Sequence, residues 1–236
     1  MPSAQSARST LVACAAFAGA LLAGTSAAAL PLVAVPAHPR DSAPVPANQE
    51  VVVLSGGCFW GIQAVFEHVR GVTGAVSGYT GGAARTASYD EVSTGTTGHA
   101  ESVRVTFDPS QISFGEILHV FFAVAHDPTE LDRQGPDDGS QYRSAIWYTS
   151  PEQQRVATAY IAQLTTATTF RRPIVTQVSP LQGFYPAESY HQDYAEHHPD
   201  AAYIAINDRP KVDHLRTLLP ALYRETPVLT TARAGS

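Results

Sequence analysis

The order of strand-like and helix-like segments predicts an α+β fold, a ferredoxin-like sandwich with helices packed on one face of a mixed, mostly antiparallel sheet. Three observations carry this expectation. Glu101, Val103, Val105 and Phe107 alternate with Ser102, Arg104 and Thr106, the period of a strand. Phe59, Ile62, Val65, Phe66 and Val69 recur at helical spacing. The segments follow one another as strand, helix, strand, strand, helix, strand, with no internal repeat.

Glu50 to Leu54 is an apolar, β-branched run and reads as a buried strand. Ser55-Gly56-Gly57 is a turn, and the helix that follows starts at Cys58 and stops at Gly71. Gly74 to Gly82 is a glycine-rich strand and loop. His99 to Phe107 is a strand, closed by Asp108-Pro109. Ser113-Phe114-Gly115-Glu116 has the form of a capping box, continued as a helix by Ile117, Leu118, Phe121 and Phe122. His126 to Tyr142 is polar and without period, so it reads as a loop. Ser144 to Thr149 is a strand. Ser150-Pro151 opens another helix, with proline at the first helical position. Ile174 to Val178 is a further strand. Leu181 to His198 reads as loop plus a short helix. Val212, Leu215, Leu218 and Leu219 make a last helix before Pro220.

The 236 residues divide unevenly. Arg8, the apolar run Leu11 to Leu22 and the small residues Ala27-Ala28-Ala29 read as an export signal over 1–29. An uncleaved membrane anchor is the alternative, although the run is short and rich in Gly and Ala for a span. Leu11-Val12-Ala13-Cys14 has the look of a lipoprotein box, but the apolar run follows Cys14 instead of preceding it. Residues 30–49 hold Pro31, Pro36, Pro39, Pro44 and Pro46 and read as an extended linker. That leaves a catalytic domain over 50–225 and a flexible tail over 226–236. A periplasmic or secreted monomer follows, with no membrane contact once the signal is removed.

Apolar content of 44% and charged content of 15% fit a globular chain. The net charge of -6, with no run of Lys or Arg, argues against nucleic acid as a partner. His191, His197 and His198 lack a ligand spacing, and no metal site is expected. Of the two cysteines, Cys14 lies in the signal, so the mature chain holds Cys58 alone and a disulfide scaffold is excluded.

A thiol at a helix start has a lowered pKa, because the N-terminal N–H groups favour the anion. Gly56 and Gly57 are expected to leave the sulfur open to approach, and Phe59 and Trp60 to form an apolar wall beside it. The alternative is a buried structural cysteine among core aromatics. Glu101 shares a strand face with Val103, Val105 and Phe107. A carboxyl there is desolvated and keeps its proton near neutral pH. Otherwise it is a strand-end carboxylate that points to water.

Gly57-Cys58-Phe59-Trp60-Gly61 resembles the signature of the peptide methionine sulfoxide reductase A family. The resemblance continues in order through Ser77-Gly78-Tyr79-Thr80-Gly81-Gly82, Tyr89-Asp90-Glu91-Val92, Thr97-Gly98-His99-Ala100-Glu101, His126-Asp127-Pro128-Thr129, Arg133 to Ser144, Phe184-Tyr185-Pro186-Ala187-Glu188 and Tyr190-His191-Gln192. It covers Val51 to Tyr203. It implies reduction of S-epimer methionine sulfoxide, free or in proteins, and repair of oxidised proteins. Cys58 would be the nucleophile, Glu101 the acid, and Tyr89 and Tyr142 the phenols that bind the sulfoxide oxygen. Phe59 and Trp60 would line the methyl pocket, and Asp137 would help position the site. Read alone, the two tyrosines are packing residues with wet hydroxyls.

Relatives often carry later cysteines that resolve the oxidised nucleophile. Here Ile204 follows Tyr203 where such a cysteine is common, and the tail has none. No cofactor is implied. An external reductant is: a small thiol, or a thioredoxin-like or glutaredoxin-like protein, acting on a Cys58 sulfenic acid. Two other classes compete, namely a thiol peroxidase or Cys–His hydrolase, and a protein that binds oxidised methionine without turnover.

Overall fold

The computed structural model describes residues 49–230. The expected signal over 1–29 with Cys14, all but the last residue of the expected linker over 30–49, and residues 231–236 of the expected tail lie outside the described residues.

β1 (Glu50–Ser55) runs into the glycine turn and α1 (Phe59–Glu67), with Cys58 as the N-cap. β2 (Val72–Thr80), α2 (Tyr89–Val92) and β3 (Ala100–Phe107) follow. α3 (Phe114–Val120) has the full capping box: Ser113 Oγ accepts from Glu116 N–H at 3.2 Å, and Glu116 Oε2 accepts from Ser113 N–H at 2.9 Å. It widens into a π-turn over Phe121–Ala125. The polar segment contains two short strands, β4 (Arg133–Gln134) and β5 (Asp137–Asp138), and a 3-10 turn at Ser140–Tyr142. β6 (Ala145–Tyr148) leads to α4 (Pro151–Thr166), with Pro151 at its start and Ser150 as its cap. β7 (Gln177–Pro180), β8 (Tyr185–Pro186), α5 (Tyr194–His197) and α6 (Arg209–Leu218) complete the chain.

The six strands order as β7-β6-β1-β3-β2-β8. Within this sheet β1 lies between β3 and β6, antiparallel to both, and β2 pairs antiparallel with β3. This is the ferredoxin-like arrangement, extended by β8 at one edge and by β7, which runs parallel to β6, at the other. The sheet is mixed, mostly antiparallel. Val52 and Leu54 of β1, Val103 and Val105 of β3 and Ile146 of β6 join the residues of α1, α3, α4 and α6 in one core. The opposite face holds a small cluster of Val53, Ala100, Ala145 and Trp147, covered by Leu181 and Phe184. Helices therefore lie on one face, and a loop covers the other.

Three differences from the sequence pattern come from tertiary pairing. α1 stops at Glu67, and Val69 instead bridges Tyr223. Gly71, at φ +84°, is the turn into β2. The last long strand begins at Gln177, since only from there does it match β6, in the register Ala145↔Gln177 to Tyr148↔Pro180; Val175 N–H donates to Pro128 C=O. Residues 226–230, read as the start of a flexible tail, are tied to the body: Val228 N–H donates to Glu67 C=O at 3.0 Å and Thr230 N–H to Asp193 Oδ1 at 3.0 Å.

Candidate active site

Cys58 sits where β1 ends and α1 begins. Its placement depends on two glycines, each at a close approach. A Cβ on Gly56 would lie 2.8 Å from His126 Cγ, and one on Gly57 would lie 2.5 Å from Gln134 Cγ. Gly57 also has φ +96°, which side-chain-bearing residues rarely adopt. These glycines let side chains pack over the turn. The expectation that they leave the sulfur open is corrected, and Cys58 is 92% shielded, with 8% of its surface exposed.

Burial also overturns the expected lowering of the thiol pKa. Desolvation pushes the Cys58 thiol well above its ordinary range, and Glu101 and Asp208 push the same way. The Trp60 backbone N–H and Lys211 pull it back by less. A nine-residue helix offers only partial charge at its start, whereas burial removes the full hydration of an anion.

Glu101 points from β3 toward this turn. It is 3% exposed, and Phe59 N–H donates to its Oε2 at 3.0 Å. Burial, reinforced by Asp137 and Asp208, outweighs that hydrogen bond and raises its pKa to about 8. At neutral pH the carboxyl is therefore protonated, with Oε2 accepting and Oε1 free to carry the proton. The alternation of β3 predicts this environment, and the structure agrees.

Tyr89 begins α2, held there by its N–H, which donates to Glu188 Oε1 at 3.0 Å; Tyr79 O–H donates to the other oxygen of Glu188 at 2.8 Å. Tyr142 ends the 3-10 turn. That turn is pinned to the start of β3 by Arg143, whose guanidinium donates to the carbonyls of Gly98, His99 and Ser140. The two phenols face the same charges. Burial raises the pKa of each, and Glu101 and Cys58 act on both. Neither hydroxyl has a hydrogen-bond partner among the described residues, so both are available to a ligand oxygen.

Trp60 is held on three sides. Its indole N–H donates to His191 Nδ1 at 3.2 Å, its ring stacks on Tyr194 at 3.9 Å, and Tyr203 meets it edge-on at 5.9 Å. Phe59 is buried against Tyr79 and His191. Asp137 accepts a short hydrogen bond from Tyr203 O–H, so it bears on Trp60 through that tyrosine. Among the described residues no group of three or more His, Cys, Asp or Glu is arranged to hold a metal ion.

The described chain from 50 to 220 matches the family model of peptide methionine sulfoxide reductase. The chain belongs to the peptide methionine sulfoxide reductase family. It is 54% identical over 188 residues to peptide methionine sulfoxide reductase MsrA 2 of Mesorhizobium japonicum, covering 80% of this chain and 96% of that one. With MsrA of Thermus thermophilus it shares 48% identity over 176 residues, covering 75% and 98%. Among solved structures it resembles methionine sulfoxide reductase A of Corynebacterium diphtheriae, with TM-score 0.57 and 36% identity, covering 66% of this chain and 77% of that one. It also resembles the reduced form of Mxr1 from Saccharomyces cerevisiae, with TM-score 0.62 and 29% identity, covering 69% and 92%.

In this reductase the seven residues singled out on sequence are linked to one another: Cys58 at the N-cap of α1, with Phe59 and Trp60 on its first turn; Glu101 on β3, bonded to Phe59 N–H; Tyr89 on α2 and Tyr142 on the 3-10 turn, both acted on by Glu101 and Cys58; and Asp137 on β5, which acts on Glu101 and reaches Trp60 through Tyr203. Sequence reasoning missed His191, Glu188 and Tyr194, which orient Trp60 and Tyr89. His191 and Glu188 lie inside matching motifs, which was the available signal. It also missed Asp208 and Lys211. Their i, i+3 spacing is an ordinary surface pattern, and nothing local marks the pair as buried.

Proposed function

We propose that this reductase converts methionine sulfoxide of the S configuration, free or in oxidised proteins, back to methionine by attack of Cys58 on the sulfoxide sulfur. What carries this reading is the buried, protonated Glu101, held by the N–H of the residue that follows the only cysteine among the described residues. A sulfoxide oxygen is a poor leaving group until it is protonated, and an acid with a pKa of about 8 supplies that proton at neutral pH.

Tyr89 and Tyr142 donate hydrogen bonds to the sulfoxide oxygen through their unpartnered hydroxyls. Phe59 and Trp60 form the wall against which the substrate methyl packs. Asp137 positions Tyr203, and through it Trp60. As the Cys58 sulfur bonds to the substrate sulfur, the oxygen takes the proton of Glu101. The S–O bond then breaks, methionine leaves, and the oxygen ends on Cys58 as a sulfenic acid while the thiol proton returns to Glu101. One thiol of an external reductant forms a mixed disulfide with Cys58 and releases water. A second thiol frees Cys58 and leaves the reductant oxidised. The reductant is a small thiol, or a thioredoxin-like or glutaredoxin-like protein. A Cys–His hydrolase is disfavoured because His126, the histidine packed against the turn at Gly56, has its ring nitrogens engaged with Phe121 C=O at 3.0 Å and Ser144 Oγ at 2.7 Å.

We also propose that residues 1–29 are an export signal and that the reaction takes place in the periplasm or outside the cell, on a monomer with no membrane contact once the signal is removed; Arg8, the apolar run Leu11 to Leu22 and Ala27-Ala28-Ala29 support the export reading. Among the described residues no helix is long and apolar enough to cross a membrane. The test is direct. Full-chain protein with dithiothreitol should form methionine from the S diastereomer of methionine sulfoxide and not from the R diastereomer, and Cys58→Ser should form none. Turnover by the serine variant would remove Cys58 from the reaction.

A further inference from the structure

Gly61, the last residue of the signature, lies against a buried ion pair that the reaction above does not use. It stands on the first turn of α1, three positions after Cys58. A Cβ built on Gly61 would lie 2.1 Å from Asp208 Oδ1 and 2.7 Å from Lys211 Nζ. The pair therefore presses directly on the turn that carries the nucleophile. Lys211 Nζ donates to Asp208 Oδ1 at 3.1 Å. Asp208 is fully buried and Lys211 nearly so.

Neither capping nor stability accounts for this pair. Asp208 occupies the N-cap of α6, where an aspartate ordinarily accepts from the N–H groups of its own first turn, yet it makes no such bond. Its second oxygen, Oδ2, is buried with no hydrogen-bond partner among the described residues. Burial of an ion pair is a poor source of stability, because desolvation of both charges offsets their attraction.

The groups that bear on the sulfur or on Glu101 come from the elements around them: Glu101 from β3, Tyr89 from α2, Asp137 from β5, Tyr142 from the 3-10 turn, Tyr203 just before a second π-turn over Ile204–Asp208, and Asp208 and Lys211 at the start of α6. In this set the two members of the pair act differently. Asp208 raises the pKa of Glu101 as well as that of Cys58, whereas Lys211 lowers those of Cys58 and Asp137.

We propose that Asp208 and Lys211 are positioning residues of this site, acting through space from the turn they press on: Asp208 helps burial and Asp137 to keep the proton on Glu101, and Lys211 favours the anionic sulfur of Cys58. This rests on the reading of Glu101 as acid and Cys58 as nucleophile, and deepens it. On Cys58 the two members oppose each other, Asp208 acting more strongly than Lys211, whereas on Glu101 only Asp208 acts. Gly61 is then the glycine that lets the pair approach.

The test measures alkylation of Cys58 by iodoacetamide against pH on the full chain, followed by mass spectrometry of the Cys58 peptide, and needs no sulfoxide. Lys211→Met should slow alkylation at pH 8 on the order of tenfold, and Asp208→Asn should speed it by a similar factor, since a shift of one pH unit is tenfold in thiolate. A pair that only supports the fold would loosen α1 in either variant and move both rates the same way. Movement in the same direction, or no movement, overturns the proposal for Cys58. The second readout is the alkaline limb of kcat. In Asp208→Asn and in Asp208→Asn/Lys211→Met that limb should move to lower pH, because the charges bearing on Glu101 are Asp137 and Asp208. The double variant leaves no buried charge alone, so it carries the test if a single variant does not fold. An unmoved limb overturns the part concerning Glu101. Opposite alkylation shifts in a protein that does not reduce sulfoxide would sink the proposed function and leave the action of the pair on Cys58 standing.

Discussion

Glu101→Gln separates the proton of Glu101 from its shape. The amide keeps an oxygen to accept from Phe59 N–H, so the start of α1 should stay in place. It cannot donate the proton that a carboxylic acid with a pKa of about 8 holds at neutral pH. Loss of a general acid costs about 10²–10⁴-fold in rate. The wild-type rate should fall about tenfold per pH unit above 8 as Glu101 ionises, and the variant should lack that limb. Stability should respond with the opposite benefit. Burial raises the carboxyl pKa from 4.5 to about 8. Its contribution is therefore fully present below pH 4.5, declines as the pH rises, and is lost above pH 8. Between pH 5 and pH 9 the wild type should lose about 4 kcal/mol that the glutamine variant does not lose. Steady-state rates and thermal melts across that range measure both. A glutamine variant that retains the alkaline limb, with a melting difference from wild type that does not grow toward pH 9, would refute the idea that Glu101 is held protonated.

Tyr89→Phe and Tyr142→Phe should each lower kcat/KM by about tenfold, the worth of one hydrogen bond to a developing charge. The double change should cost more than the sum of the two free energies, because either phenol partly replaces the other; steady-state kinetics on the four proteins decide this. Gly61→Ala should destabilise by about 2–4 kcal/mol, since its Cβ would overlap Asp208 Oδ1 and displace a buried charge pair; a melt equal to wild type would show that the pair moves aside freely. Treated with methionine sulfoxide and no reductant, the mature protein should stop at a Cys58 sulfenic acid that a sulfenic-trapping reagent labels, and added dithiol should restore turnover. Loss of two hydrogens within one chain, without labelling, would mean that Cys14 is retained and resolves Cys58.

The elements with strong local signals were legible without the structure. The capping box at Ser113 and Glu116, the proline start of α4 and the alternation of β3 each depend on neighbours within a few residues, and each stands where its pattern places it. Segments held by individual contacts that follow no period were not. The loop over 126–142 has no period because its order comes from single side-chain contacts, such as Gln134 Oε1 accepting from Asp127 N–H and Ser140 Oγ donating to Gly95 C=O. β8 has two residues and exists only because β2 offers it an edge.

The same division runs through the site. Residue order alone places a thiol at a helix start and a carboxyl on an apolar strand face, because a glycine turn and a two-residue period are local properties of the chain. The electrostatics there could not be read in that way. A sequence shows the helix whose start favours the thiolate, but not the depth at which the sulfur lies. Depth reverses the expected direction of the Cys58 shift. Asp208 and Lys211 are about 150 residues from Cys58 in sequence, and only the packing of α6 on α1 brings their charges to it. Hydration and Coulomb energies depend on distance through space. Chain order conveys little of that distance beyond a single helix turn or strand.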